Sequence, residues 1–76
     1  MSKLPRNIKG KELIAILERQ GFTIVGKRGS HAVLLTVMED GRWTQVVVHP
    51  KPIPPGTLRT ILRQTEISID TLLKLL

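Results

Sequence analysis

Two histidines are the only side chains in this sequence that suit proton transfer near neutral pH. His31 and His49 are the only imidazoles among the 76 residues, and tyrosine and cysteine are absent. An imidazole can gain or lose a proton near neutral pH, which makes it a general acid or base. Because a lone histidine is more often structural than catalytic, the residues around each one must indicate its role.

His31 follows a short basic turn between two strand-like segments. The turn reads Lys27-Arg28-Gly29-Ser30, and its two cations could hold a phosphate. Gly29 can adopt a positive φ and Ser30 can hydrogen-bond to its own backbone, so backbone amides could approach an anion there. RNA carries its own nucleophile, the 2′-hydroxyl, and needs only proton transfer and charge stabilisation at the phosphate. The pattern is compatible with a catalytic site at His31 and with a structural histidine.

His49 precedes Pro50 at the end of a third strand-like segment. It could be the second acid or base of a pair with His31, or it could fix the exit of the strand into the loop. Two imidazoles without a clustered carboxylate fall short of a usual metal-ligand set. We therefore expect neither a metal nor a cofactor.

The charge balance favours a polyanionic partner. Twelve Lys and Arg face six acids, which gives a net charge of +6 and a pI of about 10.6. A field of this sign on a small domain attracts nucleic acid, whereas a solvated basic surface is the alternative. No apolar run approaches the ~20 residues that span a bilayer, so no membrane partner is expected. The candidate phosphate contacts are Lys27, Arg28, Lys51, Arg59 and Arg63.

Hydrophobic periodicity predicts three helices and three strands in one domain over residues 1–76. Gly21 follows the first helical segment as a C-terminal cap, and Asp40-Gly41 is typical of a tight hairpin turn. Thr57 is the expected cap of the second helix, and Ser68 precedes a third one whose apolar stripe we assign to the core. The predicted helices are residues 11–20, a second from Thr57 and a third after Ser68; the predicted strands are residues 22–27, 31–38 and 43–49.

This order predicts an α+β two-layer sandwich in which helices cover one face of an antiparallel sheet. Residues 1–9 look like a poorly ordered arm or a leading turn outside the core. Both faces of the second strand are apolar, so alternation does not decide which face His31 takes. Trp43 is expected to pack in the hairpin rather than to stack on a base. The absence of cysteine and of a secretory signal fits a cytoplasmic protein.

At Gly29-Ser30-His31 the sequence resembles the HicA-type toxins of toxin–antitoxin systems. The resemblance runs along nearly the whole chain as an ordered set of four motifs, which is far more specific than the triplet alone. The others are Gly10-Lys11-Glu12-Leu13-Ile14 with Leu17 and Gly21-Phe22, the strand end Val46-Val47-Val48-His49, and Gly56-Thr57-Leu58-Arg59 with Ile61-Leu62-Arg63-Gln64.

The resemblance implies a fold like that of double-stranded-RNA-binding domains and an mRNA endoribonuclease, or mRNA interferase, that works without the ribosome. It also implies that His31 is catalytic, that Gly29 and Ser30 position it, and that a HicB-type antitoxin masks the site. It assigns no role to His49. The apolar Ala32-Val33-Leu34-Leu35 run and the proline-rich residues 50–55 depart from the family pattern, which affects substrate preference more than activity.

Two other functions remain as alternatives. A non-catalytic module of the same fold would bind structured RNA by shape and phosphate contacts. A protein-interaction module would use its basic face to meet an acidic partner.

Overall fold

The computed structural model describes residues 3–5 and 7–76. It confirms an α+β fold with one helix, three antiparallel strands and two further helices in chain order. The elements are α1 (Gly10–Arg19), β1 (Thr23–Arg28), β2 (His31–Val37), β3 (Trp43–Val48), α2 (Pro55–Thr65) and α3 (Ile69–Leu75). No helix within the described residues is long and apolar enough to cross a membrane.

The sheet has the order β1-β2-β3, and its two faces differ in what covers them. Ala32 pairs with Val48 and Leu34 with Val46, and all four side chains are buried in the core. We call this the helix face. The opposite, open face carries the intervening pairs, Val33–Val47, Leu35–Gln45 and Val37–Trp43. Because side chains alternate along a strand, His31 shares the open face with Val33, which settles the question that the sequence left open.

One hydrophobic core lies between the helix face and the helices. Its α2 contribution is the stripe that the sequence predicts, since Leu58, Ile61, Leu62 and Thr65 are all buried. Thr65 is satisfied there because its hydroxyl donates to the Ile61 carbonyl at 2.8 Å. The other buried members are Ile8, Leu13, Ile16, Leu17, Phe22, Ala32, Leu34, Val46, Val48, Ile53, Ile67 and Leu72.

The segment before α1 belongs to the core, so its prediction as an outer arm is wrong. Ile8 is buried, its carbonyl accepts a hydrogen bond from the Ile53 amide at 2.8 Å, and Lys9 forms an isolated antiparallel bridge with Pro52. The proline-rich segment thus pairs with a stretch far away in sequence. Part of the predicted arm, Met1, Ser2 and Arg6, lies outside the described residues.

The start of α2 also differs from the prediction. The helix begins at Pro55 after Pro54, and no side chain caps it. Proline is preorganised for the first helical position because its φ is fixed and it has no N–H to leave unsatisfied. Thr57 therefore lies inside the first turn, and its hydroxyl is not a cap.

Other local predictions are confirmed. Gly21 has φ +99° just after α1, and Gly41 has φ +87° in the β2–β3 turn. Ser68 caps α3 by accepting from the Thr71 amide at 3.1 Å.

One prediction about apolar side chains is confirmed only in part, and another fails. The stripe assigned to the core after Ser68 is Ile69, Leu72, Leu73 and Leu76. Leu72 is fully buried and Ile69 packs against the core, whereas Leu73 and Leu76 are exposed. Trp43 lies opposite Val37 on the open face but is 69% exposed, so it does not pack into the hairpin as expected.

Candidate active site

The turn between β1 and β2 presents His31 at the end of the central strand. Gly29 has φ +60°, a conformation that glycine adopts without a Cβ clash, and the chain then enters β2 at His31. Arg28, the last residue of β1, pairs directly with His31. The His31 side chain is half-buried, which leaves part of the imidazole open to a ligand.

His49 lies opposite His31 on the neighbouring strand. The ladder pairs Ala32 with Val48, so the next residue along each strand, His31 and His49, comes to the same end of the open face. Their ring centroids are 4.6 Å apart and the ring planes are inclined by 80°, an edge-to-face contact. The structure therefore brings the two imidazoles together, which the sequence left undecided.

The chain just after β3 fixes the His49 ring. The Lys51 backbone N–H donates a hydrogen bond to His49 Nδ1 at 3.1 Å. A neutral imidazole has one N–H and one acceptor nitrogen, so this bond selects the tautomer with the proton on Nε2. Among the described residues, Nε2 has no hydrogen-bond partner.

The histidine pair lies at the edge of a cleft of about 550 Å³. Val47 of the sheet and the Pro52–Pro54 segment form apolar walls, and Thr57 and Ile61 of α2 complete the lining. Lys51 contributes a cation to the same cleft. A concave site with apolar walls and a few polar groups has the general form of a ligand site.

The two cations of the basic turn point to different faces of the sheet. Arg28 pairs with His31 on the open face, whereas Lys27 pairs with Ala32, whose side chain lies on the helix face. Both ion pairs among the described residues belong to Arg42. Arg28 and Lys51 therefore keep their charge uncompensated by any described carboxylate.

Arg59 and Arg63 lie outside the cleft. Thr57 and Ile61 line it from α2, and at 3.6 residues per turn Arg59 projects about half a turn away from both. Arg63, four residues further on, shares the face of Arg59, and both side chains are exposed. Of the predicted phosphate contacts, the structure thus places Lys51 in the cleft and Arg28 beside His31, with the two arginines of α2 on its outer side.

Gly10 supports the site, although nothing in the local sequence indicates this. Its N–H donates to the carbonyls of Pro50 at 3.1 Å and Lys51 at 3.3 Å. A Cβ at this position would overlap the His49 carbonyl oxygen and lie 2.6 Å from Pro50 Cα. The start of α1 therefore contacts the segment that carries His49, an approach that only glycine allows.

Residues 10–67 match the model of the HicA toxin family of bacterial toxin–antitoxin systems. The chain belongs to the HicA toxin family. No curated protein matches the sequence. Membership implies an antitoxin partner, and the matched range includes Gly10, both histidines and the cleft-lining part of α2.

Proposed function

We propose that this HicA-family protein is an endoribonuclease that cleaves mRNA and thereby inhibits translation. The observation that carries the proposal is the position of His31, half-buried at an open cleft beside a second imidazole and two uncompensated cations. Family membership supports the same class of activity. His31 is the proposed catalytic residue, and Gly29 and Ser30 form the turn that positions it.

In the proposed reaction His31 accepts the proton of the RNA 2′-hydroxyl. The 2′-oxygen then forms a bond to phosphorus while the bond from phosphorus to the 5′-oxygen breaks, and water protonates the departing oxygen. The products are a 2′,3′-cyclic phosphate and a 5′-hydroxyl end. Arg28 and Lys51 stabilise the negative charge that develops on the phosphate oxygens. The side chains and water supply every group that this step requires, so the proposal needs no metal.

A HicB-type antitoxin is the proposed protein partner. Inhibition requires only that the partner cover the cleft, because the catalytic imidazole and Lys51 both line it. An acidic surface would complement Arg28 and Lys51 and would also exclude RNA from the same cations.

The decisive experiment incubates end-labelled RNA with purified wild-type protein and with His31→Ala in excess EDTA. We expect discrete fragments with the wild type alone. A 2′-deoxy substitution at the cleaved nucleotide should abolish cutting there, because it removes the nucleophile. Cleavage by His31→Ala equal to wild type would refute the role of His31, and efficient cutting of the deoxy substrate would refute the mechanism.

Intact RNA in both lanes, together with a mobility shift in both, would instead favour the non-catalytic RNA-binding module. That function needs no imidazole, so His31→Ala would bind RNA as the wild type does.

A further inference from the structure

The His49 ring is held in one orientation by its neighbours, which a residue that only ends a strand would not require. Its ring contacts His31 edge to face at 4.6 Å, and it is half-buried at the cleft. The Lys51 N–H binds the ring at Nδ1, and two hydrogen bonds from Gly10 N–H hold the following residues against the start of α1. These contacts determine which nitrogen can meet a ligand.

The Nδ1 hydrogen bond restricts what His49 can do chemically. Because Lys51 N–H donates to Nδ1, the proton of the neutral ring is on Nε2. A nitrogen that already carries the proton cannot accept another from the 2′-hydroxyl. Nε2 is instead a hydrogen-bond donor on the side of the ring away from Lys51.

The start of α1 maintains this arrangement. Gly10 N–H binds the carbonyls of Pro50 and Lys51, and its missing side chain lets the backbone of His49 approach α1. Displacement of residues 50 and 51 from α1 would break both of these hydrogen bonds and move the Lys51 N–H that binds Nδ1. The Lys51 amide and Gly10 are therefore positioning groups for the His49 ring.

We propose that His49 is a hydrogen-bond donor of the RNA-cleavage site, binding a non-bridging phosphate oxygen through Nε2–H, and that His31 alone transfers the proton. The inference rests on the proposed endoribonuclease activity and assigns its second imidazole. A fixed donor aimed at developing charge stabilises the transition state without itself gaining or losing a proton. It differs from an acid–base pair, in which both rings would exchange protons with the substrate.

The test compares glutamine with alanine at each histidine. A glutamine amide can place an N–H near the position of histidine Nε2 but cannot transfer a proton at neutral pH. Loss of one such donor typically lowers kcat by about 10²-fold to 10³-fold. We expect that loss for His49→Ala and substantial recovery for His49→Gln, whereas His31→Gln should be as inactive as His31→Ala. Thermal unfolding and RNA binding of each variant verify that it is folded.

Two results would overturn the donor role. If folded His49→Gln is as inactive as His49→Ala, His49 transfers a proton. If His49→Ala cleaves at the wild-type rate, His49 has no part in the chemistry, although the proposed function of the protein would stand. Absence of cleavage by wild type would refute the proposed function instead, so the two failures are distinguishable.

A readout independent of activity tests the positioning groups. In ¹⁵N NMR spectra at alkaline pH, His49 should show an unprotonated Nδ1 and a protonated Nε2. Gly10→Ala should displace the 49–51 segment, mix the two tautomers and reduce cleavage. Gly56→Ala is the matched control, because a Cβ at Gly56 meets nothing within 4 Å. A wild-type spectrum with the proton on Nδ1, or one unchanged in folded Gly10→Ala, would contradict the positioning argument.

Discussion

Consecutive cations of β1 differ in what they can reach. Arg28 pairs with His31 on the open face, and Lys27 pairs with Ala32 on the helix face. A charge-assisted hydrogen bond to phosphate contributes about 1.5–3 kcal/mol, so its loss corresponds to roughly a tenfold or greater effect on binding or catalysis. We expect Arg28→Ala to lower kcat/KM for RNA by at least about tenfold.

Lys27→Ala is the matched control for Arg28→Ala. Both variants remove one positive charge from the same exposed strand, so a general electrostatic effect would reduce kcat/KM equally in both. A larger loss for Arg28→Ala would identify a direct phosphate contact on the open face. Equal losses would show that the turn attracts RNA only through its net charge.

The candidate role of His31 follows from a local sequence pattern, whereas its surroundings do not. That pattern is the basic, glycine-containing turn before it, and the structure places His31 itself at the cleft. The His31–His49 contact depends on the β2–β3 register, and the role of Gly10 depends on α1 meeting residues about forty positions away. Hydrophobic periodicity within one segment does not predict such long-range contacts.

Among the elements, the β2–β3 turn carries an ion pair that shifts the pKa values of both of its members, Asp40 and Arg42. Arg42 Nε donates to Asp40 at 2.6 Å, and this hydrogen bond holds the pKa of Asp40 below its ordinary value of 3.8. Arg42 also contacts Glu66 just after α2 at 3.0 Å. The turn is thereby connected to the helix layer through an exposed ion-pair network.

This network should give the free energy of unfolding a small dependence on acid pH. Because the folded pKa of Asp40 lies below the unfolded value, its contribution is present above about pH 3.8 and disappears as pH falls through the folded value. We expect Asp40→Asn to lower stability slightly at neutral pH, since the pair is exposed. The difference from wild type should vanish in acid.

Urea unfolding of Asp40→Asn across this pH range provides the measurement. The control is Glu39→Gln, which removes a neighbouring exposed carboxylate that has no ion pair among the described residues. A difference that grows on acidification would have the wrong sign for a carboxyl with a lowered pKa.

Helix α2 has a buried face that packs into the core and an exposed face that carries polar side chains. Leu58 is fully buried in the core, and truncating a buried leucine typically costs about 2–5 kcal/mol. We expect Leu58→Ala to lower the free energy of unfolding by that amount, measured by urea denaturation. Gln64→Ala, at an exposed position of the same helix, should change it by less than about 0.5 kcal/mol. Similar values for the two would contradict the assigned helix face.

Local sequence patterns predict the helices and strands, but they do not predict pairing between segments that are distant in sequence. The stripe of α2 follows from helical spacing alone, and its burial agrees with that prediction. The burial of Ile8 does not follow from local spacing, because it depends on the hydrogen bond from the Ile53 amide and on the bridge between Lys9 and Pro52. The local sequence of a proline-rich segment does not indicate which segment it pairs with, so that pairing is visible only in the folded structure.

At the scale of the whole molecule, four of the candidate phosphate-binding cations form two groups. Lys51 lies in the cleft and Arg28 beside His31, whereas Arg59 and Arg63 lie on the outer side of α2. With a net charge of +6, RNA of any length should be attracted to the protein. Only RNA that extends beyond the cleft can reach both groups, so the length of the ligand should determine which cations contribute to binding.

Salt titrations of RNA binding can separate these groups. For single strands, each phosphate contact contributes about 0.7 to the slope of log K against log salt. In a catalytically inactive His31→Ala background, Lys51→Gln should reduce the slope by about 0.7 for every RNA. Arg59→Gln and Arg63→Gln should reduce it only for an RNA long enough to leave the cleft. If the α2 variants reduced the slope for a dinucleotide as well, the arginines would contact the phosphate at the cleft, and the proposed division of the basic surface would be wrong.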